Sequence, residues 1–317
     1  MTNQYNMDYV FGRDRRKVYM GLAMLWIIGY HFYLVQTEFI DAHLFPFKVL
    51  FRNGFVGVDI FFILSAYGLC CSWERSSVWE FYKKRFLRII PLYVVFLLLC
   101  KVVLKANHVL SDGLLQMSSL SVLNTPLTRT REMGGEWFVP AIINLYIVFP
   151  LLFMAIERVM KRFPKCGAYF MVTLAIFISG GVTKWISPNY IMRLPIIVAG
   201  ILAFLYVKNN DKKGLLGIFV YMAMFYLFIE RKNIMLSVAL PLILMGLNEL
   251  KFTVKQGWIK YIGATSFELY LAHVIPMNFA GRYDILVGLA IMSGGTVVLA
   301  FLYHVLNKGI AKLRIAK

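Results

Sequence analysis

The sequence predicts an all-α membrane protein: a polytopic bundle of about ten transmembrane helices forming one domain over residues 1–317. Three observations predict this fold. Apolar residues make up 60% of the chain and charged residues only 16%, whereas soluble domains contain about 45–50% apolar and about 25% charged residues. The apolar residues gather in runs of about 20, the length of a helix that crosses a bilayer. The basic residues gather between alternate runs.

Ten apolar runs predict the helices in chain order. They cover residues 18–36, 54–72, 88–105, 136–157, 168–186, 190–207, 214–229, 234–250, 258–280 and 284–306. Arg13, Arg15, Arg16 and Lys17 precede the first run, as basic residues do in a signal peptide. The run is long for a signal peptide and lacks a small-x-small cleavage site, so we interpret it as a retained helix.

The charge distribution predicts the orientation of the bundle. Lys and Arg exceed Asp and Glu by 18, and 23 of the 34 Lys and Arg residues lie in one set of alternate segments between the runs. Cytoplasmic loops of membrane proteins carry such an excess. We therefore expect both termini in the cytoplasm, a cytoplasmic membrane location and no nucleic-acid partner, because the basic residues are spread over six segments.

The longest predicted loop, residues 106–135, lies on the extracytoplasmic side. Its leucines have partly helical spacing, which favours an interfacial helix, and a lid over a substrate groove is the alternative. The four cysteines show neither a C-x-x-C pair nor zinc spacing, so no metal site is expected.

Two ionisable residues stand out in the first two predicted helices. His31 lies near the extracytoplasmic end of the first helix, and Asp59 lies about five residues into the second. Because these helices are antiparallel, we expect the two side chains at similar depth. A carboxylate beside an imidazole fixes its tautomer and raises its basicity, as in a general base. The alternative is a buried pair that only joins two helices.

Two further groups of polar residues could form binding sites. Ser266, Tyr270 and His273 share one face of the ninth helix, where they line a cavity or bind a neighbouring helix. Arg85 and Arg88, at positions i and i+3 of the third helix, can clamp a phosphate group or simply anchor the cytoplasmic end.

The fourth predicted helix begins with Glu136 and Trp137, and Asn144 follows on the same face as Glu136. Polar and aromatic residues at this position could line a substrate cavity. Trp at a membrane interface is more commonly a belt residue.

Six segments in order resemble the integral-membrane acyltransferase family 3. They are YMGLAMLWIIGYH ending at His31, GVDIFFILSAYG from Gly57 to Gly68, RFLRIIPLY from Arg85, EWFVPAIINLYIVFPLL from Glu136, RLPIIVAGILA from Arg193 and IGATSFELYLAH ending at His273. Members of this family move acetyl and other short acyl groups onto cell-surface carbohydrates.

The resemblance implies a membrane O-acyltransferase that takes an acyl group, expected to be acetyl, from cytoplasmic acyl-CoA to a hydroxyl of a cell-surface or lipid-linked carbohydrate. It implies acyl-CoA as co-substrate with no tightly bound cofactor, His31 and Asp59 as catalytic residues, and Arg85 and Arg88 as donor-binding residues. The family usually has an arginine where this chain has Met20, so Arg15, Arg16 or Lys17 would replace it.

A transporter or flippase without chemistry is the rival interpretation. Ten helices with intramembrane charges suit it as well. It predicts inverted repeats and helices that are broken in the middle of the membrane. The sequence shows no repeat, and its intramembrane ionisable residues are expected in the extracytoplasmic half.

Overall fold

The computed structural model describes residues 13–43, 47–105, 137–183, 186, 188–229 and 257–315, which are mainly helical and contain no β-strand. The described helices are α1 (Arg13–Val35), α2 (Thr37–His43), α3 (Phe47–Arg52), α4 (Val56–Trp73), α5 (Val78–Val103), α6 (Phe138–Arg162), α7 (Gly167–Gly181), α8 (Pro188–Ile191), α9 (Leu194–Lys208), α10 (Lys212–Ile229), α11 (Gly257–Ala264), α12 (Ser266–Ala272), α13 (Val274–Ala280) and α14 (Ile285–Ile315).

Five helices of the described chain are long and apolar enough to cross a membrane. They are α1, α4, α5, α6 and α14; α7 and α9 are shorter apolar helices. Every predicted run outside residues 234–250 overlaps a described helix, while that run and the loop 106–135 lie outside the described residues. The all-helical membrane fold is thus confirmed, and ten spans with cytoplasmic termini stay a prediction.

The predicted helix over residues 258–280 is divided into α11, α12 and α13. Pro276 explains the second break, because it has no backbone N–H and its ring would clash with the carbonyl of Ala272, where α12 ends. Thr265 marks the first break, and its hydroxyl donates to the Tyr261 carbonyl at 2.9 Å. Such back-bonding often bends helices. The run predicted as the ninth helix is therefore helical, with interruptions at Thr265 and His273.

The segment between α1 and α4 folds back along α1. Trp26 Nε1 donates to the Leu50 carbonyl at 2.6 Å, and the Phe51 ring packs on Gly29. Lys48 forms an ion pair with Asp41 at 3.0 Å, and this hydrogen bond lowers the pKa of the Asp41 carboxyl. As a result, the first residues of α4 lie beside the middle of α1 and not beside its C-terminal end.

Glycines set the register of α1 against α4. A side chain on Gly57 would lie 2.7 Å from the Ala23 carbonyl, and one on Gly68 would lie 2.8 Å from Arg16 Nη1. The two helices are therefore antiparallel and in backbone contact. Helix α9 runs parallel to α4, because Arg193 pairs with Asp59 near one end and Lys208 pairs with Glu74 at the other.

Candidate active site

An open cavity with about 570 Å³ of empty volume lies among α1, α4, α5, α6 and α12. Its lining is mainly apolar with a few polar side chains, as is typical of ligand sites. The lining residues are Met20, Ile27, Val58, Phe61, Ser65, Arg88, Ile89, Phe138, Ile142, Tyr146, Ser266, Phe267 and Tyr270. Three residues predicted for the site, Arg88, Ser266 and Tyr270, thus meet at one cavity.

The cavity has an arginine end, formed by Arg16, Arg85 and Arg88. Arg88 lines the cavity itself. The guanidinium of Arg85 lies 5.6 Å from the centre of the Phe81 ring and 5.9 Å from that of Tyr146. Its Nε is buried without a hydrogen-bond partner, and no described carboxylate pairs with Arg85 or Arg88. Like charges held together in this way favour a bound anion.

Arg16 joins this end from α1. Its Nη1 lies 2.8 Å from the position of a Cβ on Gly68, so the guanidinium rests on the α4 backbone, and it is close enough to Arg85 to interact electrostatically. Of the three cations expected to replace the family arginine, Arg16 is therefore the one that the structure places beside Arg85. Met20 lines the cavity one helical turn further along α1.

The opposite, histidine end is formed by His31 and His273. His273 Nε2 lies 3.2 Å from His31 Nδ1, and the ring centres are 4.8 Å apart. His273 is fully buried. The pair borders the cavity through Tyr270, whose ring centre is 5.4 Å from that of His273, and through Ile27, whose carbonyl binds His31.

The hydrogen bonds assign the tautomers of both rings. His31 Nδ1 is 3.0 Å from the Ile27 carbonyl, which can only accept, so Nδ1 carries the proton. His273 Nε2 must then be an acceptor, and its proton lies on Nδ1, which faces the Leu269 carbonyl at 3.3 Å. This arrangement leaves His31 Nε2 unprotonated, which is the state that a general base requires.

Asp59 and Trp137 meet at Arg193 instead of at His31. Arg193 Nε lies 3.3 Å from Asp59 Oδ1, and its guanidinium is 4.8 Å from the centre of the Trp137 ring. Gly57 lies between the levels of Ala23 and Ile27 on the antiparallel α1, so Asp59, two residues further along α4, is level with about Ala23. His31 is eight residues beyond Ala23, which is about 12 Å further along α1. The expectation that His31 and Asp59 lie at similar depth was therefore wrong, because the segment folded back along α1 lowers the start of α4.

In a comparison with protein families, residues 21–306 match a family model described as an acyltransferase domain. The chain belongs to acyltransferase family 3. Neither a search of curated proteins nor a search of solved structures gave a match. The family and the apolar helices together identify a multi-pass membrane protein of an acyltransferase family.

The remaining predicted residues of this acyltransferase family 3 protein lie away from the cavity lining or outside the described chain. The Asn144 amide donates to the Pro140 carbonyl of its own helix at 3.0 Å. Glu136 lies outside the described residues. Among the described residues, no group of three or more His, Cys, Asp or Glu side chains could hold a metal ion.

Sequence reasoning missed the role of Arg193 in this acyltransferase family 3 protein. One signal was present: a buried carboxylate such as Asp59 needs a cation, and few cations lie at the extracytoplasmic ends of the predicted helices. Arg193 opens α9 directly before Leu194 and Pro195, at the depth where Asp59 is buried. The pairing of the two histidines had no comparable signal, because they are 242 residues apart in the chain.

Proposed function

We propose that this chain is a membrane O-acyltransferase of the cytoplasmic membrane. It transfers an acyl group, in the first instance acetyl, from cytoplasmic acyl-CoA to a hydroxyl of a cell-surface or lipid-linked carbohydrate. One observation carries the proposal: a single cavity is lined by Arg88, which belongs to a cluster of three guanidinium groups, and by Ile27 and Tyr270, which contact a buried histidine pair.

The arginine end suits the phosphate groups of coenzyme A. Guanidinium groups bind phosphate oxygens through charge-assisted, often bidentate hydrogen bonds. Arg88 lines the cavity, so the linear arm of the donor would enter beside it and bring the thioester towards Tyr270. Met20 and Ile27, both in the lining, are about 10 Å apart along α1, which gives the cavity the elongated shape that an arm requires.

The histidine end would perform the chemistry. His31 Nε2 takes the proton of the acceptor hydroxyl while the oxygen attacks the thioester carbonyl carbon. The carbon–sulfur bond then breaks, and the leaving thiolate receives the proton, so that the products are an ester and free coenzyme A. His273 Nε2 shares the Nδ1 proton of His31 with the Ile27 carbonyl, and this shared hydrogen bond orients the ring and stabilises its charged form.

Asp59 acts in this mechanism through Arg193. Its carboxylate is 5% exposed and neutralises a guanidinium that stacks on Trp137. This cluster ties the starts of α6 and α9 to α4 beside the cavity residues Val58 and Phe138. We therefore assign Asp59 a positioning role in place of direct contact with the base.

The test is acyl transfer in membranes supplied with acetyl-CoA labelled in the acetyl group. We expect label in the carbohydrate fraction together with one free thiol for each acetyl transferred, and loss of both in His31→Ala. Nuclear magnetic resonance of the surface polysaccharide from wild-type and deletion strains identifies the acceptor. A transporter would move its substrate without releasing coenzyme A, and full transfer by His31→Ala would rule out this mechanism.

A further inference from the structure

We propose that Ser65 and Ser266 bind the amide groups of the pantetheine arm of the donor and so select pantetheine thioesters. The inference rests on the proposed function, because it assumes that the cavity receives acyl-CoA. Both serines line the cavity, from two different helices, α4 and α12.

The two hydroxyls have no hydrogen-bond partner within the described part of the chain. Serine and threonine side chains in helices commonly donate to a carbonyl of the preceding turn. Six other hydroxyls of the described residues do so at 2.7–3.3 Å: those of Thr37, Thr173, Ser179, Thr183, Thr265 and Ser293. Ser65 and Ser266 therefore keep their full hydrogen-bonding capacity for a ligand in the cavity.

The surrounding cavity makes such hydrogen bonds necessary. Most of its lining is aliphatic or aromatic, and Arg88 is taken by the phosphate groups in the proposed function. A secondary amide that enters an apolar site without a hydrogen bond loses its hydrogen bonds to water without replacement, which weakens binding. The pantetheine arm carries two such amides, and the serine hydroxyls can each donate to or accept from them.

The positions of the serines match the path of the arm. Ser65 lies one turn from Gly68, on which Arg16 rests, and Ser266 lies one turn before Tyr270. Both therefore lie between the arginine end and the histidine end. A ligand with phosphates at one end and a thioester at the other would pass its amides between these two hydroxyls.

The experiment measures displacement of labelled coenzyme A from the purified full chain in lipid nanodiscs. The competitors are unlabelled coenzyme A, adenosine 3′,5′-bisphosphate, which lacks the arm, and pantetheine, which lacks the nucleotide. The variants are Ser65→Ala, Ser266→Ala and their double variant. Thr173→Ala and Ser293→Ala are matched controls, because each also removes one helix hydroxyl, but one already bonded to a carbonyl. Arg88→Gln reports on the phosphate groups.

We expect each serine variant to weaken the binding of coenzyme A and of pantetheine about two- to tenfold. The affinity for the bisphosphate should not change, and the control variants should bind all three compounds as the wild type does. Arg88→Gln should weaken coenzyme A and the bisphosphate. Suppose that the wild type binds coenzyme A, that Arg88→Gln weakens this binding and that the double serine variant does not. This inference then fails, and the proposed function stands. An equal loss of bisphosphate in the serine variants also overturns the inference. Failure of the wild type to bind coenzyme A overturns both.

Discussion

The two ends of the cavity differ in how their polar groups are satisfied. At the arginine end, Arg85 and Arg88 lie close to Arg16, and no described carboxylate pairs with Arg85 or Arg88. At the histidine end, each ring nitrogen at the contact already has a partner, either the other ring or a carbonyl of its own helix. The first end is completed only by an anion, whereas the second is organised before any substrate arrives. The proposed function thus assigns donor binding to the first end and the chemistry to the second.

The largest expected effect separates these ends at His31. Replacement by Ala should lower kcat for acyl transfer by about 10²- to 10⁴-fold, because a positioned general base contributes that much. Affinity for coenzyme A should stay unchanged, since the arginine end is intact. Transfer rates and coenzyme A displacement in the same preparation measure both quantities. His43→Ala, an exposed histidine on α2, is the control. A parallel loss of coenzyme A affinity in His31→Ala would contradict the division.

His273 should give the next largest effect. His273→Ala removes one of the two acceptors of the His31 Nδ1 proton, the other being the Ile27 carbonyl, and hydrogen bonds to a charged group are worth enough to lower kcat by about 10- to 100-fold. His273→Gln carries an amide oxygen that can accept the same proton, so it should recover part of the rate. The measurements are kcat, KM and the pH profile of both variants. Equal rates in Ala and Gln would show that His273 only fills space.

The two ends also differ in how far the sequence predicts them. The helices follow from apolar runs, and the RFLRIIP segment places Arg85 and Arg88 on one helix face. These features depend on neighbours in the chain. The partner of His31 depends instead on how deep α4 sits against α1. That depth results from the segment folded back along α1, where Trp26 binds the Leu50 carbonyl and Gly54 contacts the Trp26 backbone.

Asp59 shows the consequence. Its position in the second predicted membrane helix was predicted correctly. In the structure, however, Asp59 lies about 12 Å from the level of His31 along α1, and its neighbour is Arg193. Helix periodicity gives the face on which a side chain lies and not the offset between two helices. The offset is decided by tertiary contacts between small residues, which a single sequence does not reveal.

The smallest expected effect concerns the arginine end at Gly68. In Gly68→Ala the new methyl group meets Arg16 Nη1 at 2.8 Å, so the flexible guanidinium must shift by a few tenths of an ångström. The helix itself gains from alanine, so thermal stability should be unchanged or slightly higher. Because the partly exposed Arg16 guanidinium would then lie further from a phosphate group of the donor, the Kd for coenzyme A should rise about two- to fivefold, with kcat unchanged.

Gly294→Ala is the matched control, because Gly294 is also inside a helix and nothing lies within 4 Å of its Cβ position. It should raise stability by about 0.5–1 kcal/mol and leave coenzyme A affinity unchanged. Arg16→Gln should weaken the binding of coenzyme A at least as much as Gly68→Ala does. The double variant should bind coenzyme A no more weakly than Arg16→Gln alone, because both substitutions act on one guanidinium. Additive losses in the double variant would show that Gly68 affects the donor site by a route other than Arg16.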